Sequence, residues 1–138
     1  MKKIILSIVI TSAILFSCSK KDATPTPSTP TIVGKWNLNK EIYTVSQSGT
    51  ILITDTILGT QGEYINFTNT GLAISNDASG TNGDTSNYTF SNNKLTITSS
   101  PTDVTVLNVT TLSNNQLNLY ADSTDAGVRS QIWVYLTK

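Results

Sequence analysis

The chain has 138 residues, nine basic and nine acidic, with one cysteine and no histidine. Ser/His/Asp and Cys/His catalysis are therefore excluded, and the usual zinc-site ligands are missing. The even charge shows no basic stripe and gives nucleic-acid binding no electrostatic support.

The N-terminus opens with Lys2-Lys3, followed by a mostly apolar run from Ile4 to Phe16 and then Leu15-Phe16-Ser17-Cys18. A basic start, a short apolar stretch and a small residue before the cut make a secretory signal. The run is shorter than the roughly 17–25 apolar residues that a membrane span needs. Leu15-Phe16-Ser17-Cys18 resembles the lipobox of bacterial lipoproteins. That resemblance implies a signal peptide over 1–17, a diacylglycerol on the Cys18 sulfur and a lipid-anchored place in the cell envelope, with the outer membrane as the expected site. Acylation of Cys18 also leaves no thiol for a disulfide. Residues 18–138 hold seven basic and nine acidic residues, a net charge of −2. Their number suffices for one domain.

From Ser19 to Thr31 the composition is Ser, Thr, Lys and Pro with one Asp and one Ala, and Pro25, Pro27 and Pro30 favour extended backbone. Residues 18–31 read as a disordered tether. The alternative makes Lys20-Lys21-Asp22 a sorting signal beside the lipid.

From Ile32 onward Thr, Ile, Val, Leu and Tyr alternate between clusters of Asn, Gly, Ser and Asp, the pattern of short strands joined by turns. It predicts strands over Lys35–Val45, Thr50–Leu58, Glu63–Thr68, Leu72–Asn76, Ser86–Ser91, Lys94–Ser99, Asp103–Leu112, Gln116–Ala121 and Arg129–Thr137. No stretch has a helical period with caps, and Pro101 falls in a turn.

Three hairpins repeat one spelling: Phe67-Thr-Asn-Thr-Gly-Leu-Ala-Ile74, Phe90-Ser-Asn-Asn-Lys-Leu-Thr-Ile97 and Leu112-Ser-Asn-Asn-Gln-Leu-Asn-Leu119. Asn and Gly tolerate the positive φ of tight turns. Successive hairpins without crossover helices form an antiparallel meander, which must close or cover its edges.

The first strand opens with Val33-Gly34-Lys35-Trp36. Gly-x-Trp at the head of an all-β chain resembles the first-strand motif of the lipocalin superfamily, and most of all the short lipocalin-like lipoproteins of Gram-negative bacteria. Tyr64-Ile-Asn-Phe67 through Gly71, Tyr88-Thr-Phe90 through Ile97, Gln116-Leu-Asn-Leu119 and Ile132-Trp-Val-Tyr-Leu136 are similar to later parts of that family. The resemblance implies an all-β fold over 32–138, a small antiparallel up-and-down (lipocalin-like) β-barrel of about eight strands. It also gives Gly34 and Trp36 a structural role, with Trp36 plugging the closed end. Lipocalins stack a basic side chain on that Trp. Arg129 begins the last strand, so Lys138 or Thr137 is the expected neighbour. Thr50–Leu58 makes a ninth strand, either an added hairpin arm or a lengthened first loop.

An eight-stranded barrel holds side chains alone or one small ligand. Tyr64, Phe67, Tyr88, Phe90, Trp133 and Tyr135 are the candidates to line a ligand cavity, and each has a core reading beside it. Asn76-Asp-Ala-Ser-Gly-Thr-Asn-Gly-Asp84 spaces oxygens as calcium loops do, but it lacks the closing Glu, so a polar loop is the expectation. Asp122–Gly127 reads as a polar loop as well. Glu41, Asp55 and Glu63 could supply a carboxylate pair for glycoside hydrolysis only if the fold brought two together.

The expected activity is therefore non-catalytic: binding of a small apolar or amphipathic ligand in the barrel mouth. The rival is a filled barrel that contacts an envelope protein or glycan. No catalytic residue, metal, cofactor or nucleic acid is expected. The partners are the membrane, through Cys18, and the small ligand, and the domain is read as a monomer.

Overall fold

The computed structural model describes residues 29–77 and 83–138. The expected signal peptide, the expected lipidation site Cys18, most of the expected tether and the centre of the Asn76–Asp84 loop lie outside the described residues.

Among the described residues nine strands run in chain order: β1 (Gly34–Gln47), β2 (Thr50–Leu58), β3 (Tyr64–Phe67), β4 (Leu72–Asn76), β5 (Thr85–Ser91), β6 (Lys94–Ser100), β7 (Asp103–Leu112), β8 (Gln116–Asp125) and β9 (Val128–Thr137). All pair antiparallel, and β9 returns to β1 over Asn37↔Thr137 to Gln47↔Val128. Eight strands thereby close a barrel, and the ninth stands outside it. β1 forks to achieve this. Its first residues pair with β3 (Gly34↔Phe67 to Asn37↔Tyr64), and Lys40 to Gln47 then pair with β2 on that edge. The amide of Leu38 donates to Glu63 O, and that of Gly59 to Asn39 O, where the partners change. Thr50–Leu58 is thus an added arm. All nine of its residues are exposed.

Three hairpins turn on two residues of positive φ: Ser48-Gly49, Asn92-Asn93 and Ala126-Gly127. That conformation matches the twist of the flanking strands. The last pair corrects the loop expected at Asp122–Gly127. β8 runs on to Asp125, and Asp125 pairs with Val128. These residues are polar because this end of β8 and β9 projects beyond the barrel, where no core demands an apolar face.

The core lies at the end where β1 begins. Trp36, Phe67, Leu95 and Leu117 are fully buried, with Ile32, Ala73, Val109 and Leu136 around them. Burial of a Leu or Phe side chain here stabilises by about 1.5–3 kcal/mol. The repeated hairpins differ in phase. Phe90 faces Leu95 and Leu112 faces Leu117, but Phe67 faces Ala73. The first turn, with Gly71 at φ +84°, holds one more residue, so Leu72 and Ile74 point outward.

Candidate functional site

One end of the barrel is sealed. The indole N–H of Trp36 donates to Ile32 O at 2.7 Å, which folds the entering chain beneath the ring. Gly34 has φ +123°, a conformation L side chains rarely adopt. The Lys138 ammonium lies 4.3 Å from the Trp36 ring centroid and donates to Val33 O at 3.4 Å. Lys138, not Arg129, therefore caps the seam. Arg129 instead pairs with Asp122, donating through Nε at 2.9 Å, which holds the Asp122 carboxyl below the usual carboxylate range. Gly34 and Trp36 thus build the floor of the barrel.

Above that floor the interior is not filled. A cavity of about 390 Å³ is walled by Leu38, Ile65, Ile97, Leu119, Val134 and Leu136, with Leu107 completing the wall. Its mouth is framed by Glu63, Tyr64, Ser75, Asn76, Asp77 and Asp84. The volume falls within the range of about 300–1,000 Å³ typical of small-molecule sites. The cavity exists because β3 and β4 are short while β1, β8 and β9 are long. The aromatic layer fills only the end that all eight strands reach.

The expected cavity-lining residues separate into three groups. Tyr64 stands at the rim, its ring covered on the outer face by the Lys35 ammonium at 3.8 Å. Phe67, Tyr88 and Phe90 pack with the core instead. Tyr88 meets Phe67 edge-on at 4.9 Å and donates its hydroxyl to Thr68 O at 2.7 Å. Trp133 and Tyr135 are corrections, because both face outward. Trp133 lies 5.2 Å from Tyr120, and Tyr135 lies under the Lys40 ammonium at 4.8 Å. The reason is phase: Leu136 pairs with Leu38 and Leu117 inside, which sends every second residue of β9 outward. The aliphatic residues form the wall, and the large aromatics of β9 cover the outside.

Glu41, Asp55 and Glu63 are not cross-strand partners of one another. Glu63 accepts the Thr60 amide at 2.7 Å in the turn before β3. Asn76 spends its amide on Gly62 O and Asp77 O, each at 2.9 Å. Among the described residues no three acidic side chains are placed to hold a metal ion.

A closed antiparallel barrel with one plugged end, one open apolar cavity and Gly-x-Trp at the plug defines a lipocalin-type architecture. The sequence profile of the lipocalin-like domain matches residues 32–119, and the chain belongs to that family. A crystal structure of a lipocalin-like protein from Bacteroides uniformis is similar at 19% identity. The match covers 72% of this chain and 94% of that one, with a TM-score of 0.41. No curated protein matches the sequence.

Proposed function

We propose that this is a lipid-anchored envelope protein whose barrel binds a small apolar or amphipathic molecule without transforming it. The supporting observation is the apolar cavity of about 390 Å³, open at one end over a sealed floor. Such a site holds an apolar body within aliphatic walls and orients it with a few polar groups at the rim. Cys18 supplies the anchor, and the Pro/Thr tether lets the barrel stand off an outer membrane. Native mass spectrometry of the protein purified from its own cells tests the binding. The expected result is an added mass that solvent extraction removes. A bare mass that takes up no apolar compound contradicts it. For the anchor, Cys18→Ser is expected to move the protein from the detergent phase to the aqueous phase; retention in detergent would refute lipidation there.

The β2 edge favours a second reading, contact with another envelope component. Ile51 and Leu58 are 66% and 67% exposed, and the strand has no Lys, Arg or Pro to protect its free edge. Ile53→Lys with Ile57→Lys is expected to abolish a larger species on native gels of solubilised envelopes. A monomer in both samples contradicts this reading.

A further inference from the structure

We propose that the cavity selects a cationic amphiphile, an apolar chain ending in an amine or quaternary ammonium, over a fatty-acid anion. The proposal rests on the cavity reading above and names the ligand class. The sequence contains no Lys or Arg between Lys40 and Lys94 but has five acidic residues in that stretch. The fold sets three of them, Glu63, Asp77 and Asp84, at the mouth. Glu41 pairs with Val134, a wall residue, so it shares that inward face just beyond the cavity.

The cations are held elsewhere. Lys138 is at the sealed end on Trp36, and Lys94 starts β6 at that same end. Lys35 and Lys40 lie on outer-face tyrosines, and Arg129 pairs with Asp122. Among the described residues no cation is part of the cavity lining, and Lys35 reaches the rim only on the outer side of Tyr64. The acidic groups do not converge into a metal site. They act as a field of one sign around a low-dielectric opening, which concentrates ligands of the opposite charge. Tyr43, exposed and on the same inward face by its pairing with Ile132, adds an aromatic surface of the kind that ammonium groups favour. A carboxylate head would meet that field with no basic side chain in the lining among the described residues.

The test is calorimetric titration of the protein with three probes of one chain length: decyltrimethylammonium, decanol and decanoate. The expected order is ammonium, then alcohol, then carboxylate, with about tenfold or more between the first and last at low salt. The gap is expected to shrink as salt screens the exposed charges. Glu63→Gln combined with Asp84→Asn is expected to collapse the gap between ammonium and carboxylate, and Lys94→Gln, at the sealed end, is expected to leave all three affinities unchanged. Equal affinity for the three probes overturns the head-group assignment and leaves the cavity reading standing. Decanoate binding tightest also overturns it. Binding of none overturns both.

Discussion

Trp36 offers the sharpest test of how the floor is built. Its side chain is fully buried, and an aromatic of this size buries about 200 Å², worth ~5 kcal/mol at ~25 cal/mol/Å². Substitution to Ala in cores costs about 3–5 kcal/mol. Here the Ile32 carbonyl also loses its 2.7 Å donor. We expect Trp36→Ala to lose about 4–5 kcal/mol by urea denaturation, a large part of the ~5–15 kcal/mol typical of a domain. Trp36→Phe keeps most of the ring but not the N–H, and is expected to lose about 1–2 kcal/mol. Because the ring lies below the cavity, the Phe variant should bind an apolar probe as the parent does. A loss under about 1.5 kcal/mol for Trp36→Ala would refute the plug assignment, since full burial sets the larger figure. A large change in probe affinity for Trp36→Phe would refute the separation of floor from cavity.

Three further substitutions probe the turns and the core. Ala126 turns the β8–β9 hairpin at φ +47° without a side chain suited to it; Ala126→Asn is expected to gain about 0.5–1 kcal/mol by thermal or urea melts. A Cβ on Gly59 would run into the carbonyl oxygen of Leu38, which is backbone and cannot move aside. Gly59→Ala is therefore expected to destabilise by about 1–3 kcal/mol and to shift amide resonances around the fork in β1. Burial raises the Tyr88 hydroxyl above its ordinary value, so the fold favours its neutral form. That contribution is complete below the unfolded-state value near 10 and is lost as pH rises through the higher folded value. Tyr88→Phe, which also loses the 2.7 Å bond to Thr68 O, should cost about 1 kcal/mol at neutral pH and show a shallower alkaline decline.

The fold was legible because turn chemistry and strand patterning agree. Asn92-Asn93 and Ser48-Gly49 stand where positive φ is required, and Gly34-Lys35-Trp36 marks the plug. Phase was harder to read. Ile132-Trp-Val-Tyr-Leu136 is apolar on both faces, so alternation cannot say which set faces in. Only the pairing of Leu136 with Leu38 and Leu117 decides it. The extra residue in the Thr68–Gly71 turn similarly brings Ala73 inward where the repeat suggests Leu72 or Ile74. The site was obscured for the same reason. Aromatics attract attention as ligand contacts, whereas the wall is made of ordinary Leu, Ile and Val residues separated by up to about a hundred positions in the chain. One signal was available early: the stretch between Lys40 and Lys94 has acidic residues without a single base.

The central claim is that the space above the Trp36 layer takes up an apolar molecule. The direct test is fluorescence titration with N-phenylnaphthylamine, a neutral probe, of the parent protein and of Val134→Trp. Val134 lines the cavity, so the indole should fill the space without overpacking a dense core. We predict saturable binding by the parent, loss of at least about tenfold in affinity for the variant, and unfolding free energies within about 1 kcal/mol of each other. Equal binding by both proteins, or none by the parent, would contradict the account.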